Sequence, residues 1–147
     1  MAETKIPGCM YCEADSPKRN SLMLKVLEYP ESTLYLMKDQ QHQGRCVLAL
    51  KEHKRELCDL SPETLLAYMT HAGNVAEAII RLFDADKVNY AIFGDVVGHM
   101  HMHLVPKQKD GIRWGDVFEM TSKTPRLLDD AQYEKMITSL RNALSAE

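Results

Sequence analysis

The fold of this chain is decided by one stretch of sequence, Gly98-His99-Met100-His101-Met102-His103-Leu104-Val105-Pro106. Successive side chains of a β-strand point to opposite faces, so His99, His101 and His103 share one face of a predicted strand over 99–105. The apolar residues between them share the other face, which can pack against a core. Pro106 is expected to end the strand. Same-face neighbours lie roughly 7 Å apart, so adjacent imidazoles can contact one small ligand.

The spacing of these histidines alone leaves three interpretations open. Core packing does not explain three polar rings on one face, but a solvated sheet face would also carry them. Imidazoles at positions i and i+2 of a strand can both reach one metal, so a hydrolytic zinc site made of all three is a second interpretation. The third is a site that binds a small ligand and acts on it.

Signals on both sides of this strand predict an α+β domain. Ser61 can cap a helix over 61–83, Pro62 suits its first turn, and Glu63 lies near the positive end of the helix dipole. The other predicted elements are a loop over 1–20, strands over 22–29, 33–37, 46–50 and 88–93, and a helix over 129–143. Strands grouped around one long helix, without regular βαβ alternation, favour a mostly antiparallel five-stranded sheet.

Composition and charge limit the classes of function. The chain has 147 residues, 45% of them hydrophobic, as expected for one globular domain over 1–147. The 18 basic and 21 acidic residues give a net charge of −3, so no broad basic surface for nucleic acid is expected. No apolar run is long enough to span a bilayer, and the first eight residues lack the apolar segment of a signal peptide. We therefore expect a cytoplasmic protein without a membrane partner.

Two of the four cysteines, Cys9 and Cys12, form a Cys-x-x-Cys pair in the polar N-terminal loop. Four cysteines are too few for a disulfide scaffold at this length. The pair is half of a zinc knuckle, a redox pair or a coincidence. Thioredoxin-like use needs the motif at a helix start after a strand, whereas a loop surrounds it here. A closed structural zinc site needs four ligands, so two more would come from elsewhere.

The stretch from His99 to Val105 resembles the signature of the histidine triad (HIT) family, in which three histidines alternate with apolar residues. Other segments resemble the family too: Gly44–His53, Asp59-Leu60, Asn89-Tyr90 and Arg113-Trp114-Gly115. The resemblance covers roughly residues 9–118. It implies a HIT-like fold in a single domain over 1–147, with a zinc-knuckle loop at 1–20 and a C-terminal extension with a helix at 107–147. It also implies a homodimer.

The resemblance implies a nucleotidyl hydrolase that acts at a nucleoside α-phosphate and releases a monophosphate such as AMP. Its substrates would be phosphoramidates, mixed anhydrides or dinucleoside polyphosphates. His101 matches the nucleophile, which forms a covalent nucleotidyl-histidine. A neutral imidazole is nucleophilic at pH 7, and a backbone carbonyl can orient its other nitrogen. His103 matches the residue that contacts the phosphate and the leaving atom, and as an imidazolium it could protonate a leaving amine.

The resemblance also implies the ligands of the site. Zinc-bearing members supply four ligands that correspond to Cys9, Cys12, His53 and His99, and the zinc is expected to be structural. Nucleotide contacts are expected from Asp39 to the ribose hydroxyls and from Asn89 and Asp95 near the phosphate, and a purine base is expected. Many members carry an amide near the Asp95 position, and a carboxylate there would repel a phosphate.

Two alternatives to hydrolysis are compatible with the same residues. One is a nucleotidyltransferase that passes its nucleotide to a phosphorylated acceptor. The other is a nucleotide-binding signalling module with little turnover.

Overall fold

One antiparallel sheet organises the computed structural model, which describes residues 5–145. Its strands are β1 (Met23–Glu28), β2 (Ser32–Met37), β3 (Cys46–Leu50), β4 (Lys87–Ala91) and β5 (His101–Lys107). They lie in the order β1-β2-β3-β5-β4, with every neighbouring pair antiparallel. The helices are α1 (Pro17–Leu22), α2 (Pro62–Phe83) and α3 (Asp130–Ser145), with a 3₁₀ turn at Leu57–Asp59. The predicted α+β fold with five antiparallel strands, a long helix and a C-terminal helix is confirmed.

Helix α2 begins where its capping residues predict. The Ser61 hydroxyl oxygen accepts a hydrogen bond from the Thr64 amide at 3.2 Å, which satisfies one of the free donors of the first turn. The helix ends at Phe83, and the capping residue Asp84 adopts the left-handed conformation with φ 53°. Within residues 5–145, no helix is long and apolar enough to cross a membrane.

The two faces of the sheet have different neighbours. One face packs against α2 and α3, and its core includes Leu34, Leu36, Leu48, Met102, Leu104, Val75, Ile79 and Leu140. Burial of this apolar surface, worth roughly 25 cal/mol per Å², is the main force that holds the helices on the sheet. The opposite face carries His101 and His103, which pair with Ala49 and Val47 of β3. The small and apolar side chains of β3 leave room above this face for the histidine rings.

Strand β5 is shifted relative to its prediction. It starts at His101, so His99 precedes the strand, and it continues through Pro106 instead of ending there. The carbonyl of Lys107 accepts from the Asp86 amide on the β4 side, so the nitrogen of Pro106 faces the β3 side. Strand β3 ends its pairing at Leu104. The missing N–H of Pro106 therefore costs no ladder hydrogen bond.

The N-terminal segment predicted as a loop over 1–20 ends in helix α1 from Pro17. The Ser16 hydroxyl oxygen accepts from the Arg19 amide at 3.2 Å and caps this helix. The buried Arg19 guanidinium then donates to the carbonyl oxygens of Met10 at 2.8 Å and Glu13 at 2.7 Å. Arg19 thus holds the preceding loop against the body of the protein.

The buried hydroxyl of Tyr68 provides a test of the α2–sheet contact. It donates to the carbonyl of Leu48 at 2.7 Å across the core. Because Tyr68→Phe leaves this carbonyl without that donor, we expect a loss of about 1–2 kcal/mol in the free energy of unfolding, measured by urea denaturation. Tyr90→Phe is the matched control, since Tyr90 is half exposed and should change stability far less. Equal effects of the two substitutions would contradict this account of the packing.

Candidate functional site

Four side chains with metal-binding atoms converge beside the first histidine of the histidine face. One ligand atom from each of Cys9, Cys12, His53 and His99 lies within 4.8 Å of all the others. The His99 Nδ1 lies 3.4 Å from each of the two sulfur atoms and 3.2 Å from the His53 Nδ1. The Cys12 sulfur lies 3.3 Å from the His53 Nδ1. We call this group the Cys₂His₂ cluster.

The geometry of the Cys₂His₂ cluster fits a tetrahedral metal. With Zn–N of roughly 2.0–2.1 Å and Zn–S of roughly 2.3 Å, neighbouring donors of a tetrahedral zinc lie about 3.3–3.8 Å apart. The observed 3.2–3.4 Å separations lie close to that range. The His99 Nε2 donates to the carbonyl of Leu50 at 2.5 Å, so its Nδ1 presents a lone pair to the cluster. These residues could therefore hold a metal ion.

Local backbone structure brings the two cysteines together. Gly8 adopts φ 83°, a left-handed conformation that glycine tolerates, just before Cys9. The amides of Cys12 and Glu13 both donate to the Cys9 carbonyl at 3.1 Å, which closes a tight turn. The Arg19 guanidinium fixes the same turn by donating to the carbonyl oxygens of Met10 and Glu13. The cluster thus joins the N-terminal loop to the segments that follow β3 and precede β5.

His101 is held by the backbone in one orientation. Its Nδ1 donates to the carbonyl of His99 at 2.6 Å, so its Nε2 carries the free lone pair. Burial lowers the pKa of His101, although the hydrogen bond to His99 opposes the shift. The ring of Tyr11 packs 4.9 Å from the His101 ring, centroid to centroid. The arrangement presents a neutral imidazole whose Nε2 is free to act as a nucleophile.

His103 lies next to His101, with the two ring centroids 5.5 Å apart. Burial, and then the positive charge of Arg45, lower the pKa of His103 to about 3. The Arg45 Nη2 lies 3.1 Å from the His103 Nδ1. His103 is therefore neutral at pH 7, and the expectation that it protonates a leaving group as an imidazolium is not supported.

The three triad histidines do not form one metal site. Among the described residues, the group able to hold a metal combines His99 with two cysteines and His53, without His101 or His103. The Nδ1 of His101 is occupied by a backbone carbonyl. This separation argues against the hydrolytic three-histidine zinc site.

Asp39, Asn89 and Asp95, the three residues predicted to contact the nucleotide beside the triad, lie in different parts of the structure. Asp39 follows β2, and its Oδ1 accepts from the amides of Gln41 at 3.0 Å and Arg126 at 2.9 Å. Its Oδ2 accepts no hydrogen bond from residues 5–145 and is free for a diol. Asn89 of β4 pairs with Val105, so it lies on the histidine face. Asp95 is exposed in the loop between β4 and β5, and its carboxylate forms no hydrogen bond or ion pair with residues 5–145.

A cavity of about 340 Å³ opens on the same sheet face. Its lining includes Tyr11, Arg19, Thr33, Tyr35, Ala49 and Lys51. Tyr11 is in van der Waals contact with the His101 ring, and Ala49 pairs with His101 across the sheet. The size lies within the range of small-molecule sites, but none of the three triad histidines lines this cavity, so it adjoins the histidine face without including His101.

Sequence reasoning missed three residues around the histidines, namely Tyr11, Arg45 and Phe118. Phe118 comes from the segment after β5 and packs 6.1 Å from the His103 ring and 5.0 Å from the Arg45 guanidinium. Strand parity could have identified Arg45, because it lies two residues before Val47, the partner of His103. No comparable signal exists for Phe118, since it lies in an irregular segment. Trp114, by contrast, is exposed.

The backbone before Arg45 explains how the arginine reaches this face. Gly44 adopts φ 98°, and a Cβ at this position would collide with the ring of Phe83. The Gly44 amide donates to the Gln40 side chain at 2.7 Å. The chain can therefore turn tightly over α2 and enter β3 with Arg45 on the histidine side.

Comparison with known proteins relates this arrangement to one family. The family model described as HIT domain matches residues 18–110. A histidine triad protein from Bradyrhizobium japonicum is 20% identical over 89% of this chain and 97% of its own, with a TM-score of 0.80. A histidine triad protein from Marinobacter aquaeolei is 23% identical over 86% and 92%, with a TM-score of 0.74.

A zinc-bound histidine triad family protein from Mycobacterium smegmatis is also similar, at 24% identity over 83% of this chain and 84% of its own, with a TM-score of 0.61. At these identities the similarity shows the fold. A search of curated proteins gave no significant match.

The neutral state of His103 predicts an acid-sensitive fold. Its pKa is about 3 in the folded chain and roughly 6.5 when unfolded, so the unfolded chain binds the proton more readily as pH falls below 6.5. When the pH falls from 7.5 to 5.5, this histidine should therefore lower the free energy of unfolding by about 1.4 kcal/mol. Urea denaturation of His103→Gln should show a pH dependence smaller by that amount. If the free energy of unfolding depended on pH equally in the unchanged protein and in His103→Gln, the assignment of His103 as a neutral buried histidine would be refuted.

Proposed function

Because the chain belongs to the HIT domain family, we propose that it is a nucleotidyl hydrolase acting at a nucleoside α-phosphate. The observation that carries this proposal is the hydrogen bond from the His101 Nδ1 to the His99 carbonyl. A backbone carbonyl only accepts, so the ring proton stays on Nδ1 and the Nε2 lone pair faces outward. That is the state an imidazole needs to attack phosphorus.

The reaction has two displacements. The His101 Nε2 attacks the α-phosphorus, a P–N bond forms, and the bond from phosphorus to the leaving amine, carboxylate or phosphate breaks. Water then attacks the same phosphorus, the P–N bond breaks, and a nucleoside monophosphate leaves. A leaving amine takes its proton from solvent and the attacking water releases one to solvent, so the protons balance over the two steps. Splitting one displacement into two lowers each barrier, because imidazole is both a good nucleophile and a good leaving group.

His103 would donate a hydrogen bond to the phosphate or to the leaving atom. As a neutral ring beside His101, it has one N–H group that can donate this hydrogen bond. The free Oδ2 of Asp39 would accept from the ribose hydroxyls, and Asn89 would donate its amide toward the nucleotide. Asp95 only accepts when ionised, so its contribution would be to substrate hydroxyl or amine groups rather than to phosphate. We expect the substrate base to be a purine.

We further propose that the metal of the Cys₂His₂ cluster is zinc and that its role is structural. Two thiolates and two imidazoles are a typical closed donor set for zinc. Zinc bound there would cross-link the N-terminal loop to the segments that follow β3 and precede β5. It would not act as a Lewis acid at phosphorus. We also propose that residues 1–147 act as one domain, with a zinc-knuckle loop at 1–20 and an extension at 107–147, and assemble as a homodimer.

The covalent intermediate is directly testable. During incubation with an adenylyl phosphoramidate, intact-protein mass spectrometry of the zinc-loaded protein should show a transient adenylyl adduct with release of AMP. His101→Ala should give no adduct and should lower AMP release at least 10²-fold, because the nucleophile is missing.

His71→Ala is the matched control, since His71 lies on α2 and stacks on Tyr29 away from the triad. It should form the adduct at the rate of the unchanged protein. A folded, zinc-loaded protein without adduct and without AMP would refute the proposed activity. An adduct that persists until a phosphorylated acceptor is added would identify a transferase instead.

The zinc assignment is tested by metal content. After dialysis, inductively coupled plasma mass spectrometry should find about one zinc per chain, and Cys12→Ser should reduce it by most of that amount because one thiolate ligand is lost. Cys58→Ser is the control, since Cys58 is exposed and lies outside the Cys₂His₂ cluster. Equal zinc in both variants would rule out the cluster as the metal site.

A further inference from the structure

We propose that Arg45 is a positioning residue for this reaction, which fixes His103 as a neutral Nε2–H donor and anchors the segment over it. This inference rests on the proposed function only for its catalytic consequence. The positioning itself is carried by the contacts of the guanidinium group.

The direction of the Arg45–His103 hydrogen bond follows from chemistry. A guanidinium has donors and no acceptor, so the His103 Nδ1 at 3.1 Å must accept with its lone pair. The single proton of the neutral ring is then on Nε2. His103 and His101 therefore carry opposite tautomers, one presenting an N–H and the other a lone pair. A phosphate between them would meet a donor from His103 and a nucleophile from His101.

The charge of Arg45 is buried beside the site with no carboxylate in ion-pair contact among residues 5–145, and the Asp39 carboxylate acts on it only from a longer distance. Arg45 is 3% exposed, and within residues 5–145 no acidic side chain forms an ion pair with it. It also donates to the carbonyl oxygens of Glu119 at 3.2 Å and Met120 at 3.4 Å and lies 3.5 Å from the Met120 sulfur, while its Nε has no hydrogen-bond partner. Because buried charge is costly unless it is paired, an anion close to His103 would gain from this arginine.

The same guanidinium holds the chain that covers His103. We call residues 113–120 the strap. Arg45 binds two of its carbonyl groups and packs 5.0 Å from the ring of Phe118, which in turn packs against His103. Phe118 is almost fully buried. The strap follows residue 110, the last residue matched by the family model. One arginine thus couples the orientation of His103 to an aromatic wall supplied by this chain's own extension.

The substitutions Arg45→Lys and Arg45→Met separate the effect of the positive charge of Arg45 from the effect of its hydrogen-bond geometry. Lys would keep one positive charge but could not bond His103 and both strap carbonyls with the fixed fork of a guanidinium. Met would keep much of the apolar volume and remove every donor. Arg113→Gln is the matched control, because Arg113 pairs with Glu119 and Asp116 in the strap and does not contact His103.

The tautomer is tested by NMR of the full, zinc-loaded chain with ¹⁵N-labelled histidine rings, and His103 is assigned from the His103→Gln spectrum. At pH 7 the unchanged protein should show His103 with its proton on Nε2. Arg45→Met should lose that state, and Arg113→Gln should retain it. A His103 of the unchanged protein that is protonated on Nδ1, or on both nitrogens, would overturn the inference without any variant having to fold.

Turnover of the adenylyl phosphoramidate provides the catalytic readout. Arg45→Met should lower kcat about 10–100-fold with a smaller change in KM, and Arg45→Lys should recover only part of the loss. An unchanged kcat in Arg45→Met with zinc content intact would refute the catalytic consequence. If the unchanged protein gives no AMP at all, the proposed function fails, while the NMR result still decides the assignment of Arg45.

Discussion

His99 is the junction on which the arrangement of the site depends. Its Nδ1 faces the sulfur atoms of Cys9 and Cys12, its Nε2 donates to Leu50, and its carbonyl accepts from His101. One residue therefore connects the Cys₂His₂ cluster to the candidate nucleophile through a single peptide. A metal that restrains the His99 ring also restrains the carbonyl that selects the His101 tautomer. A metal held by the cluster would in this way influence the orientation of His101 without contacting it.

The histidine face illustrates how burial keeps imidazoles neutral. In water, a histidine is partly protonated near neutral pH, and a protonated ring has no lone pair to attack with. Desolvation lowers the pKa of both His101 and His103, so the neutral forms dominate. Burial alone would leave each tautomer unspecified. A carbonyl acceptor on one ring and a guanidinium donor on the other remove that ambiguity, so two chemically identical side chains adopt opposite tautomers.

Local signals predicted much of the fold. Ser61 and Pro62 located the start of α2, and the apolar run Cys46–Leu50 gave β3 with its observed bounds. The alternation around His101 identified the face. Pro106 was misjudged because its effect depends on which neighbouring strand its nitrogen faces and on whether that strand still pairs there, and both are set by the register of the sheet. Phe118 could not be placed at all, since the path of an irregular segment depends on tertiary contacts such as those of Arg45.

The placement of charge explains how an acidic residue can lie near a site proposed for phosphate. Asp95 is exposed in a loop, where water and salt screen its charge. Arg45 is buried beneath the strap, where screening is weak and the same unit of charge acts more strongly at equal distance. The charge that acts on His103 is accordingly that of the buried Arg45. The sequence shows one acidic and one basic residue, whereas their burial decides which of the two charges acts more strongly on the histidine face.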